Sequence, residues 1–196
     1  MSKAFWRALS TASRLTVITI VLVGVVYPLS VWAIGQVAFK DAAAGSFVRS
    51  KGQIVGSRLI GQQFVSDGYF HGRPSAAGEG YDAMASAASN LGPTSKVLIE
   101  QVGQRVAEAR ESNGAGQVQV PVDFVTASAS GLDPDISPDS ALLQVARVAK
   151  TRGIDETELR RLVEEHVTGP QFGLLGAQRV NVLELNLALD DLAARK

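Results

Sequence analysis

The chain has 196 residues, with 19 Lys+Arg against 19 Asp+Glu and an apolar fraction of 46%. That length suits one domain with an appendage, and that composition excludes disorder over most of the chain. The lack of cysteine excludes disulfide scaffolds, thiolate zinc sites, iron–sulfur ligation and cysteine nucleophiles. With only His71 and His166 as nitrogen ligands, a His-rich metal centre is excluded too.

The charge is unevenly placed. Residues 1–14 carry Lys3, Arg7 and Arg14 and no acid, residues 15–39 carry no charge, and Lys40 follows. Asp41–Lys196 then holds 15 basic residues against all 19 acids, a net of −4. A mildly acidic body lacks the clustered Lys/Arg from which nucleic-acid affinity comes, so nucleic acid is not an expected partner.

Leu15–Phe39 reads LTVITIVLVGVVYPLSVWAIGQVAF. As a helix, 25 residues would span about 37 Å, enough to cross a hydrocarbon core of about 30 Å with some tilt. Gly24 and Pro28 would weaken a water-exposed helix but are tolerated in membrane helices. A cleaved signal peptide is the alternative, with Val31-Trp32-Ala33 as a small-residue cleavage site. Signal cores run about 7–15 residues, so the length favours an uncleaved anchor. The positive-inside rule places residues 1–14 in the cytoplasm and everything after Lys40 across the membrane. The expected organisation is therefore a cytoplasmic tail at 1–14, a transmembrane helix at 15–39 and one mixed α+β extracytoplasmic domain at 40–196.

Within that body, Gly45–Phe64 is rich in Val, Ile and Phe with Gly punctuation and reads as short strands. Asp67–Gly92 is dense in Gly, Ala and Ser without apolar periodicity, which predicts a long ordered loop of the kind that carries function or partner binding. Pro93–Glu111 is expected to be a helix capped by Thr94 or Ser95 and ended by Asn113-Gly114. Val118–Thr126 alternates like a strand, with Pro121 restricting it to an edge or a bulge. Ser137-Pro138 predicts a helix start and Gly153 its stop. Asp155 with Glu158 and Asn181 with Glu184 mark two more helix starts, the second leading to the C-terminus.

Motifs of catalysis are missing. The sequence holds no P-loop, no Ser within a nucleophile elbow, no SxxK and no HExxH. Asp133-Pro-Asp135-Ile-Ser137-Pro-Asp139 begins like a calcium loop, but has Pro138 and Gln144 where such a loop needs Gly and Glu, so a turn feeding a capped helix is expected. His71 and Asp123 could be drawn into a triad with a serine, though a satisfied polar contact is the plainer reading of His71. Arg147 and Arg152, at i and i+5, need not share a helix face, and ion pairing or solvation is expected for each. No catalytic or metal residue is assigned, and cofactor-binding residues stay unassigned.

Several motifs together carry a resemblance. They are Tyr27-Pro28 in the span, Gly56-Ser57-x-Leu59-Ile60-Gly61-Gln62-x-Phe64 and Tyr69-Phe70-x-Gly72-Arg73-Pro74-Ser75. Ser89-Asn90-Leu91-Gly92-Pro93 and Ser128-x-Ser130-Gly131-Leu132-Asp133-Pro134-x-Ile136-Ser137-Pro138 follow. Gln144-Val145-x-Arg147-Val148-Ala149 and Arg179-Val180-Asn181-Val182-Leu183-x-Leu185-Asn186 complete the set. The chain resembles, over nearly its whole length, the C subunit family of the Kdp high-affinity potassium-transporting ATPase. It departs at Ala87-Ala88, where the family pattern has glycines.

The resemblance implies a non-catalytic accessory subunit, in the inner membrane, of a complex with an ATP-hydrolysing P-type subunit and a potassium-channel-like subunit. It also implies help with assembly and a raised ATP affinity of the ATPase subunit. ATP and K+ would act through the partners, with no cofactor held by this chain. The flanking charges put the body across the membrane from ATP, so any effect on ATP affinity would be indirect. Outside the resemblance, a membrane-anchored periplasmic hydrolase built on Asp67–Gly92 and Ser128–Ser137, or a binding module, is the alternative. The Gly/Ser-rich loops carry hard oxygen donors suited to alkali cations, with Asp67, Asp82, Asp133 and Asp135 nearby, or they dock on the partner.

Overall fold

The structure, a computed structural model, describes residues 2–114 and 116–194. It divides into two compact units, Met1–Phe47 and Val48–Lys196.

The first unit is one long helix and a short one. Ser2 caps α1 (Lys3–Val21) by accepting from the Phe5 amide. The helix widens to π-type hydrogen bonding over Leu22–Val26 and continues as α2 (Tyr27–Ala38), followed by α3 (Lys40–Ala43). Pro28 has no amide proton for the Gly24 carbonyl, and a π-turn absorbs such a defect without breaking the helix. The Ser30 hydroxyl donates to the Val26 carbonyl at 2.7 Å, which keeps this polar side chain satisfied within the apolar helix. Lys3–Ala38 is the one described helix long and apolar enough to cross a membrane. It starts twelve residues before the uncharged run does, so Lys3, Arg7 and Arg14 are themselves helical. At about 100° per residue, positions 3, 7 and 14 fall within about 40° of one another on one face.

The second unit is α+β. β1 (Phe47–Ser50) and β2 (Gln53–Ser57) form a two-stranded sheet. Lys51 and Gly52 turn between them, both at positive φ as a tight hairpin turn requires. Residues 58–95 form no helix or strand, in agreement with the reading of Asp67–Gly92 as an ordered loop. α4 (Lys96–Ser112) follows, capped by Ser95 and ended at Asn113.

Val118–Thr126 is not a strand. It holds the single-turn helix α5 (Val122–Val125), because Asp123 is drawn to the next helix start. There its carboxylate accepts from the Ser137 amide at 2.7 Å and from the Ser137 and Ser140 hydroxyls at 2.9 Å each. Alternation of apolar residues built no ladder where no neighbouring strand was supplied.

β3 (Asp135–Ile136), β4 (Val167–Thr168) and β5 (Arg179–Asn181) make a three-stranded antiparallel sheet in the order β3-β5-β4. Three helices cover it: α6 (Pro138–Arg152), α7 (Glu156–Glu165) and α8 (Val182–Ala193). Their caps are those expected: Ser137, Asp155 and Asn181 each accept from the first-turn amides, and Gly153 closes α6 at φ +66°. α8 ends at Ala193, and residues 195 and 196, to which the last helix was expected to run, lie outside the described residues. The core gathers Val145 and Val148 of α6, Leu159 and Val163 of α7, Leu185 and Leu189 of α8, Val180 of β5 and Phe70 from the loop.

Candidate functional site

The most distinctive construction in the body is the way α6 and α8 grip the segment 67–71. Phe70 is fully buried, so its backbone must leave water and find partners inside. Asn186 of α8 supplies both: its Oδ1 accepts from the Phe70 amide at 2.8 Å and its Nδ2 donates to the Phe70 carbonyl at 2.9 Å. Gln144 of α6 repeats the arrangement at His71, accepting from the amide at 2.7 Å and donating to the carbonyl at 3.1 Å. Two side-chain amides thus replace the rungs of a β-ladder.

Arginines hold the residues just before. Arg147, only 7% exposed, donates Nη1 to the carbonyls of Asp67 and Tyr69. Its Nε reaches Asn113 Oδ1 at 2.9 Å and its Nη2 reaches Gln144 Oε1 at 2.7 Å. All four partners are neutral oxygens, and burial pushes the guanidinium down from its ordinary pKa, against the opposing charge of Asp67. Arg152 donates to the Gly68 carbonyl at 2.7 Å, pairs with Asp190 at 2.9 Å and lies 4.4 Å from the centre of the Tyr69 ring. The Tyr69 hydroxyl donates to the same Asp190 at 3.0 Å. Both arginines therefore serve one loop. Arg147 is neither solvated nor ion-paired as the sequence suggested, because the carbonyls it needs come from residues about 80 positions away in the chain.

The second half of the loop is tied to residues 126–133. Arg73 pairs with Asp133 at 2.9 Å, and the Ser75 hydroxyl donates to the Gly131 carbonyl at 2.6 Å. The Ala87 amide and the Ser86 hydroxyl both donate to the Ser130 carbonyl, at 3.0 and 2.9 Å. Gly131 sits at φ +67°, and a Cβ there would lie 2.6 Å from the Ala77 amide nitrogen and 2.7 Å from the Ala87 carbonyl. Only glycine fits a crossing so close. Tyr81 donates its hydroxyl to the Arg73 carbonyl; burial first, and Asp133 second, push its pKa up to about 12. Between the loop and α4 lies a cleft of about 480 Å³ bordered by His71, Arg73, Tyr81, Glu79, Arg105 and Glu108.

His71 makes the plain polar contact expected of it, its Nε2 lying 3.0 Å from the Ser66 carbonyl, with burial holding its pKa below the ordinary value. Asp123 is committed to the start of α6, so no triad joins the two. Asp133 and Asp135 are not gathered round a cation. Asp133 faces Arg73, while Asp135 faces Arg179 at 3.1 Å and accepts from Asn181 at 3.2 Å. Burial is the main cause that raises the Asp135 carboxyl above its ordinary range. Asp82 Oδ1 accepts from the Met84 amide, and the Asp67 carbonyl is taken by Arg147. Many of the oxygens these loops could offer a cation are thus spent inside the body.

The residues that grip the loop are the ones that carried the sequence motifs: Tyr69-Phe70, Gln144, Arg147 and Asn186. Comparison with known proteins bears out the family resemblance. Residues 9–191 match the family described as KdpC, K+-transporting ATPase, c chain. The chain belongs to the KdpC family. It is 53% identical over 183 residues to the potassium-transporting ATPase KdpC subunit of Koribacter versatilis, covering 93% of each protein. The KdpC subunit of Acidobacterium capsulatum is 51% identical over 184 residues, 94% of this chain and 98% of that one. That of Mycobacterium tuberculosis H37Rv is 49% identical over 187 residues, 95% of this chain and 99% of that one. As a KdpC-family protein with one long apolar helix, the chain is a membrane-associated component of potassium transport.

Sequence reasoning missed the clamp itself. A usable signal was present: Gln144, Arg147 and Asn186 interrupt the apolar stripes of α6 and α8, where a polar residue implies a buried partner.

Proposed function

We propose that this chain is a non-catalytic accessory subunit of the potassium-transporting ATPase, anchored in the inner membrane by Lys3–Ala38 with its body outside the cytoplasm. It works beside an ATP-hydrolysing P-type subunit and a potassium-channel-like subunit, assisting their assembly. The observation that carries this reading is the use of the loops. The polar groups of 67–87 and 126–133 described above are spent on fixing one rigid surface, as a docking element needs and an open active site does not. Lys3, Arg7 and Arg14 before the span support the orientation.

Any rise in the ATP affinity of the ATPase subunit is then indirect, transmitted through the assembled complex, and the chain holds no ATP or K+ of its own. Protease added outside intact spheroplasts should digest the body, and the tagged chain should co-purify with both partner subunits. Protection of the body until lysis would overturn the orientation. A one-to-one micromolar ATP site on the purified chain by calorimetry would overturn the indirect mechanism. Loss of the chain with no effect on recovery of the other two subunits together would refute the assembly role.

A further inference from the structure

Lys3, Arg7 and Arg14 belong to the same unbroken helix as the apolar span, and that continuity fixes where they stand. Residues 1–40 contain no acid, so these cations have no carboxylate partner on their own helix. They form one stripe with Ser10 beside it, while Phe5, Leu9 and Ala12 fall about 140–180° from its centre. Arg14 adjoins Leu15, the first residue of the uncharged run, and so stands at the edge of the hydrocarbon. Arg7 lies about 10 Å further along the axis and Lys3 about 16 Å. A hydrocarbon core of about 30 Å in a bilayer of about 40–45 Å leaves a polar layer about 5–8 Å thick on each side. Long arginine side chains run along a helix to place their heads at such a depth. Arg14 from the inner edge and Arg7 from the outer edge therefore enclose the phosphate layer, and Lys3 lies beyond it.

We infer that Arg7 and Arg14 form a binding site for the headgroup of an anionic phospholipid in the leaflet on the N-terminal side of the span. This rests on the reading of Lys3–Ala38 as a membrane anchor. Guanidinium groups match phosphate oxygens two at a time, and two of them on one face exceed the charge of a single phosphate. A zwitterionic headgroup would bring its own cation against Arg7, whereas an anionic one brings none, so the stripe selects the anionic lipid. An acidic protein segment would have to enter the headgroup layer to reach Arg14; the lipid phosphate is there already.

The test reads which lipid lies beside the stripe. The full chain has no cysteine, so Ser10→Cys places a single fluorophore between Arg7 and Arg14. The labelled chain is reconstituted in nanodiscs of phosphatidylcholine and phosphatidylglycerol, one of the two carrying a nitroxide near the glycerol backbone. Quenching by each lipid in turn gives their relative association. Phosphatidylglycerol should be preferred about 25-fold, from about fivefold for each arginine, and high salt should weaken the preference. Arg7→Gln and Arg14→Gln should each lower it about fivefold, Arg7→Lys should retain most of it, and Lys3→Gln should change it by under about twofold. Circular dichroism in the same nanodiscs checks that each variant keeps its helix. Equal quenching by the two lipids, or a preference that both glutamine variants leave intact, would overturn the proposal. Trp32, read in a Trp6→Phe chain, reports the anchor separately. If bromines along the acyl chains fail to quench it, the reading of the span falls as well. If they quench it and the label at position 10 shows no preference for phosphatidylglycerol, only the lipid site is refuted.

Discussion

Arg147 offers the sharpest test of the clamp. Replacing it by Leu removes a buried guanidinium and its four hydrogen bonds to the carbonyls of Asp67 and Tyr69, Asn113 Oδ1 and Gln144 Oε1, of which the last still accepts from the His71 amide. Hydrogen bonds from a charged donor contribute about 1.5–3 kcal/mol each, so four would sum to about 6–12 kcal/mol. Holding an arginine in the interior against neutral partners costs several kcal/mol, and that cost disappears with the side chain. The expected net loss is about 3–5 kcal/mol, a large part of the roughly 5–15 kcal/mol by which domains are stable. Arg147→Lys keeps a charge and three donors but loses the planar fork, and should fall between the two. Pulse proteolysis of the full chain in mild detergent across a urea series would measure the loss. Hydrogen exchange should show the backbone at 67–71 opening first. A loss under about 1 kcal/mol, with protection at 67–71 unchanged, would refute the view that these bonds hold the loop.

Three further outcomes follow from the same geometry. Burial keeps the folded His71 pKa below its unfolded value of 6.5, so its contribution to stability is present above pH 6.5 and lost as pH falls through the folded value; His71→Gln should flatten that part of the stability–pH curve, and an unchanged curve would refute the assignment. Tyr81 should ionise only at about 12, contributing stability below pH 10 that is lost as pH rises through about 12; in ultraviolet titration a phenolate signal rising at about 12 should vanish in Tyr81→Phe. Gly131→Ala should cost about 2–4 kcal/mol through backbone collision and positive φ, measured by urea midpoint, whereas Gly153→Ala, at positive φ in open space, should cost about 1 kcal/mol.

The parts of this fold that were legible in the sequence are those decided within a few residues. Ser95, Ser137, Asp155 and Asn181 cap helices because a short side-chain oxygen satisfies amides two or three positions on. The span was legible because 25 uncharged residues permit little else. The sheet β3-β5-β4 was not, since strands of two or three residues are too short to show alternation. Val118–Thr126 misled for the opposite reason: the alternation was there, but Asp123 had a stronger use at the start of α6. The clamp was out of reach locally, because each rung joins residues 73 or more positions apart.

That separation has a consequence for how the body is made. Segment 67–71 leaves the ribosome long before α6, and Asn186 and Asp190 follow it by 116 and 121 residues. Until the last helix has been synthesised, Phe70 has no side-chain amide of Asn186 to close on and Tyr69 no carboxylate to meet. The backbone at Phe70 therefore waits, without its Asn186 partner, through almost the whole of translation, and is fixed in a late step. Truncation before α8, which removes Asn186 and Asp190, should leave the backbone at Tyr69 and Phe70 open to proteases even where α6 and α7 are complete. On the proposed reading of this loop as a docking surface, a chain whose segment 67–71 is fixed only by its final helix is incorporated only when finished, which would make completion of synthesis a checkpoint for assembly.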